Sequence, residues 1–242
     1  MTVITDTESD EKMLMMGPGA QPDVAVVDSE LTHSVPFRTT ADTGIDAYTH
    51  ALEAFVSAKR NPYSDALATA AMTKAAGALR TACFEPLNGE AREDMMVAST
   101  LAGWAFGNSS VCLVHGMSRP IGGHFHVAHG LSNAMLLPAI TAFSVPGDAP
   151  RYAQAARVTG VAEAGDSDSA ACDKLVAWLV DTNVALEVPT PETYGIDKDA
   201  YFGALPVMAE QALASGSPGN NPKVPGKDEI VGLYKKVWEG SV

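Results

Sequence analysis

One pattern restricts this chain more than any other. From Pro36 onward apolar residues recur at helical spacing, and proline and glycine set the breaks. Residues 62–84 carry alanine at eight positions, which combines high helix propensity with close helix approach. A first helix is expected from a cap at Thr39 or Thr40 to about Ser57, with Ile45, Tyr48, Leu52 and Phe55 on its apolar face. Asn61-Pro62 ends that unit and starts the next, because proline fits a first helical turn and cannot continue a helix. A third helix is expected over residues 91–115, with Pro120 and Gly122-Gly123 as breakers. Another begins near His129 or Gly130 and reaches about Phe143, and further helices are expected over 150–159, 169–182, 198–214 and 227–238. Residues 216–225 (GSPGNNPKVP) read as an irregular loop. The fold class expected is mainly α: one all-helical, bundle-like domain over residues 36–242.

Residues 1–35 read differently. Residues 2–5, 12–16 and 24–28 are short β-prone runs between charged or Gly/Pro turns, which predicts a hairpin and one further strand. Two or three short strands have little stability alone. This orphan β segment is therefore expected to fray or to pair between copies, making a homo-oligomer.

Several function classes are excluded at this level. A formal net charge of −13 with no Lys/Arg-rich run argues against nucleic acid or an anionic membrane as partner. Cys83, Cys112 and Cys172 are scattered and form no CxxC pair, so buried thiols in a reducing cytoplasm are expected rather than a disulfide framework. No stretch has the length of an apolar membrane span, and the first residues lack a signal-peptide pattern.

The groups able to bind metal or move protons concentrate in VHGMSRPIGGHFHVAHGLSNAMLLP, residues 114–138, which holds His115, His124, His126 and His129. Upstream, Asp46 and His50 in TGIDAYTHALEAF stand four apart, on one helix face. Such a pair can share a cation or simply exchange a hydrogen bond on the helix surface. His115 is expected at a helix end and His129 at a helix start, so the two can face one point across the Pro/Gly turn. One carboxylate and three imidazoles suit Fe(II), Zn(II) or a similar divalent ion. His124 and His126 are candidates for the cavity wall, and His33 reads as an exposed turn residue.

These two motifs, in this order and with this gap, resemble the iron-containing (group III) alcohol dehydrogenases. PDVAVVDSELTHSVP near the start and SPGNNPKVPGKDEIVGLY near the end resemble the same family, so the likeness covers nearly the whole chain. The resemblance implies an all-helical dehydroquinate synthase-like C-terminal domain. It implies Asp46, His50, His115 and His129 as protein ligands of a catalytic Fe(II), with Zn(II) as the alternative. It also implies hydride transfer between a small alcohol or aldehyde and NAD(P). Residues 1–35 would then be the end of the family's N-terminal nucleotide-binding domain.

Two departures bear on function. Many relatives carry a histidine four residues after the third ligand, where this chain has Arg119. A guanidinium stays protonated, so it can steady an anionic cofactor or substrate group, or pair with an acidic neighbour, but it cannot relay a proton. Relay would fall to His126 or to solvent. The second departure is that no glycine-rich strand–turn–helix for a pyrophosphate is found: Gly17-Pro18-Gly19 precedes a β-prone run, and its proline removes an amide donor. The alternative function is therefore a non-catalytic metal-binding or interaction module derived from such an enzyme.

Overall fold

The structure is a computed structural model that describes the backbone of residues 2–5 and 12–15, residues 17 and 19, and residues 22–242 in full. Strands β1 (Thr2–Thr5) and β2 (Lys12–Met15) pair antiparallel, with Thr2 opposite Met15 and Thr5 opposite Lys12. The expected hairpin is present; Met16 lies outside the described residues. The further strand expected over residues 24–28 does not form. Val24, Val26 and Val27 face solvent with no strand beside them, and Asp28 instead caps a 3-10 turn, Ser29–Thr32, by accepting from the Glu30 amide.

The rest is helical: α1 (Phe37–Val56), α2 (Pro62–Phe84), α3 (Gly89–Gly107), α4 (Leu113–Phe125), α5 (His129–Ser144), α6 (Ala149–Thr159), α7 (Asp168–Ala185), the single turn α8 (Pro191–Tyr194), α9 (Lys198–Ala214) and α10 (Lys227–Trp238). Helices α1, α2 and α3 pack on one another through buried alanines such as Ala51, Ala71, Ala75 and Ala98, whose small methyl side chains let the backbones approach. α4 lies against α5 and α9, and α10 closes on α9. Tyr201, Tyr234 and Trp238 fill that last interface, with the Tyr234 hydroxyl donating to the Met117 carbonyl of α4 at 2.7 Å. The three cysteines are buried free thiols. Among the described residues, no helix is long and apolar enough to cross a membrane.

Three boundaries differ from the sequence expectation. α1 starts at Phe37, and Thr40 does not cap it; the buried Thr40 hydroxyl accepts from Arg92 of α3 at 3.0 Å. The helix expected to run from 91 to 115 is two helices. Asn108 and Ser109 turn their side chains back onto the Trp104 and Ala105 carbonyls, competing with the backbone and ending α3. His115 therefore lies in the first turn of α4 rather than at a helix end. Pro120 and Gly122-Gly123 lie within α4, where packing of the buried Pro120 ring outweighs one missing hydrogen bond.

Pro138 is likewise inside α5 and cannot donate to the Ala134 carbonyl; Asn183 of α7 does so instead, at 2.7 Å. The start of α5 is held against α1 by a glycine. A Cβ on Gly130 would lie 2.6 Å from the Asp42 carbonyl oxygen and 3.2 Å from the Thr43 nitrogen, both immovable backbone atoms. Gly130→Ala is expected to cost about 1–3 kcal/mol in urea unfolding through overpacking. Gly103→Ala, where a Cβ meets nothing within 4 Å, is expected to be neutral or to stabilise by up to about 1 kcal/mol.

Candidate metal centre

Helix α1 presents Asp46, His50 and Glu53 at positions i, i+4 and i+7, so all three side chains leave the same face. That face meets the first turn of α4, which brings His115, and the first turn of α5, which brings His129. One ligand atom from each of Asp46, His50, His115 and His129 lies within 4.8 Å of the others, an arrangement that can hold one metal ion. Asp46 Oδ1 is 3.4 Å from His115 Nε2 and 3.4 Å from His50 Nδ1, while Asp46 Oδ2 is 3.6 Å from His129 Nε2. His115 is 4% exposed and His129 is 47% exposed, so the cluster has a closed floor and an open side.

Outer contacts turn the imidazoles. His50 Nδ1 donates to the Asp46 carbonyl at 2.9 Å, which leaves Nε2 for an ion. Phe106 of α3 stacks on the His50 ring at 4.4 Å between centroids. His115 Nδ1 donates to Glu53 Oε2 at 2.7 Å, again leaving Nε2 directed at Asp46. Glu53 also accepts the backbone amides of Cys112 at 2.8 Å and Val114 at 2.6 Å, so it caps α4, which has no side-chain cap of its own. Asn133, one turn into α5 and fully buried, places Nδ2 2.6 Å from Asp46 Oδ1 and 3.2 Å from both His115 Nε2 and His129 Nε2.

Burial and charge then separate the titrations. Burial opposes ionisation of Asp46, yet the hydrogen bond from His115 and the charges of His50, His115 and His129 carry its carboxyl below the usual range. Burial, followed by the charge on His115, pushes His50 down to about 3. Burial would also lower His115, but its hydrogen bonds to Asp46 and Glu53 prevail and raise it to about 9. A carboxylate and three imidazoles in this cradle match the donor set of Fe(II) or Zn(II).

Glu53 and Asn133 were not singled out from sequence. Their signals were available: Glu53 is a lone carboxylate in the apolar run ALEAFV on the Asp46–His50 face, and Asn133 stands four after His129. The other sequence candidates lie outside the cluster. Arg119 is exposed on α4, one turn beyond His115, and makes no hydrogen bond or ion pair among the described residues; the expected pairing with an acidic neighbour is not found. His126 is the exposed C-cap of α4 in left-handed conformation at φ 54°. His124 meets Gln211 of α9 at 2.9 Å, and His33, in a turn, is partly rather than fully exposed.

Fold and site together define a helical domain built around one carboxylate and three imidazoles that could hold a metal ion. The sequence profile of the Fe-containing alcohol dehydrogenase family, C-terminal, matches residues 40–238. The chain belongs to that family. It is 34% identical over 243 residues to the NADPH-dependent butanol dehydrogenase of Clostridium saccharobutylicum, covering 99% of this chain and 61% of that protein. It is 32% identical over 237 residues to the lactaldehyde reductase of Escherichia coli K12, covering 98% of this chain and 60% of that one. A crystal structure of 1,3-propanediol oxidoreductase superposes with a TM-score of 0.90 at 33% identity, over 97% of this chain and 61% of its own. The chain thus spans about three fifths of these relatives.

The raised His115 has a consequence for the metal-free chain. Its folded value of about 9 lies above the ordinary 6.5, so its contribution to stability is complete below 6.5 and is lost as pH rises through about 9. The melting temperature of metal-free protein is expected to fall across that window. Glu53→Gln removes one of the two carboxylates that raise His115 and leaves a buried donor mismatched. It is expected to flatten the pH dependence and to cost about 1–3 kcal/mol at pH 6.

Proposed function

We propose that Asp46, His50, His115 and His129 hold a divalent metal, Fe(II) or Zn(II). The chain is then the metal-holding part of an NAD(P)-dependent oxidoreductase for a small alcohol or aldehyde. The observation that carries this reading is the convergence of one ligand atom from each of the four residues to within 4.8 Å. The relatives support the reaction class, since their names are those of alcohol dehydrogenases and an aldehyde reductase, one of them NADPH-dependent.

When bound, the metal supplies Lewis acidity toward an alcohol or carbonyl oxygen, while the nicotinamide carries the hydride. The chain's own groups prepare that chemistry. Glu53 holds His115 through Nδ1, which leaves Nε2 toward Asp46, and the Asp46 carbonyl holds His50 through Nδ1, which leaves its Nε2 available. Phe106 covers one face of His50 and keeps water from it. His129 borders the open side by which substrate reaches the site. Proton exchange with the substrate would fall to His126, exposed at the end of α4, or to solvent, and the exposed Arg119 could steady an anionic group of cofactor or substrate.

Elemental analysis after anaerobic purification is expected to find about one Fe or Zn per chain. Asp46→Ala and His129→Ala are expected to lose it while keeping the helical circular dichroism of the parent. Full metal occupancy in both variants would overturn the assignment. Titration with NADH, followed by quenching of Trp fluorescence, separates the two functional readings: saturable binding with alcohol oxidation supports the oxidoreductase, and metal uptake without nucleotide binding supports a non-catalytic module.

A further inference from the structure

Asn133 is the polar group at the centre of the cluster that the ligand set does not use. Its side chain is fully buried, and Nδ2 lies within hydrogen-bond distance of three of the four proposed ligands. Oδ1, on the other side of the amide, is buried with no hydrogen-bond partner. The amide orientation follows from chemistry. Asp46 Oδ1, at 2.6 Å, can only accept when ionised, so the atom facing it must be the donating nitrogen. Packing alone would not favour an amide here, because an orphaned carbonyl oxygen in the interior is costly.

Resting on the metal site proposed above, the geometry points to Asn133 as a positioning residue of that site. By donating to Asp46 Oδ1 it fixes the carboxylate with Oδ1 beside His50 and His115 and Oδ2 beside His129. The same Nδ2 lies 3.2 Å from both His115 Nε2 and His129 Nε2, and so spaces the two rings about one point. The carboxylate and the two rings would therefore need little rearrangement to accept the metal. An outer partner of this kind typically sustains affinity by ~10–100-fold.

The test uses the full chain, with Co(II) as a spectroscopic probe and Zn(II) as competitor. Asn133→Ala removes the amide, and Asn133→Leu removes both polar atoms at nearly constant volume, which guards against collapse of a cavity. Both variants are expected to bind Co(II) ~10–100-fold more weakly. Both should also alter the intensity and position of the visible Co(II) bands, as Asp46 loses the amide that holds its orientation. A packing role predicts something else: lower melting temperatures for metal-free and metal-loaded protein alike, with affinity and Co(II) spectrum unchanged. That outcome in either folded variant overturns the assignment of Asn133 and leaves the metal site standing. Failure of the parent chain to take up Co(II) or Zn(II) overturns both.

Discussion

The Glu53 carboxylate is the contact on which the rest of the centre depends. It sits on α1, fully within the interior, and among the described residues no lysine or arginine pairs with it; its partners are two amides at the start of α4 and the Nδ1 of His115. A buried carboxylate is tolerable only when its lone pairs are filled, and the unpaired amides of a helix start are suited to that need. One group thereby ends the break after α3, fixes where α4 begins and sets the ring of a proposed ligand. The mutual dependence is physical. Without α4 the carboxylate would be unsolvated, and without the carboxylate α4 would have no cap.

The same economy extends through the cluster. Three helices contribute, and three of the four proposed ligands are oriented by a group that is not itself a ligand: the Asp46 carbonyl for His50, Glu53 for His115 and the Asn133 amide for Asp46. The electrostatics follow from this placement. His50 and His115 are neighbours with ring centroids 4.2 Å apart, yet one is pushed down to about 3 and the other up to about 9. Burial acts on both. Only His115 has a carboxylate on each side, and its charge then further disfavours protonation of His50. A divalent ion would replace that proton charge with its own, the expected behaviour of a cradle made to hold a cation.

Much of the framework was legible beforehand, and the reasons are local. The capping asparagine before Pro62 and the bounds of α2, α9 and α10 follow from residues within each element. The family likeness and the proposed ligands Asp46, His50, His115 and His129 were also readable, because short motifs hold them. The misread boundaries share another cause. Thr40 has the chemistry of a cap but serves Arg92, and Pro120 has the chemistry of a breaker but is held in a helix by its surroundings. The third strand expected over residues 24–28 lacked a neighbour to pair with. Thr40 was decided by a partner distant in sequence, Pro120 by the packing around it, and the strand by having no partner among the described residues.

The sequence by itself determined a mainly helical chain, the four residues able to converge and the family to which they belong. Helical spacing, alanine content and motif order act over a few residues and need no knowledge of the fold. The tertiary structure alone decided how the site is held: that α4 starts on a carboxylate from α1, that Glu53 and Asn133 orient the proposed ligands, and that Arg119 and His126 face solvent outside the cluster. Those facts depend on which helix faces meet. Faces meet through burial of apolar surface and satisfaction of buried polar atoms, both of which are properties of the assembled chain.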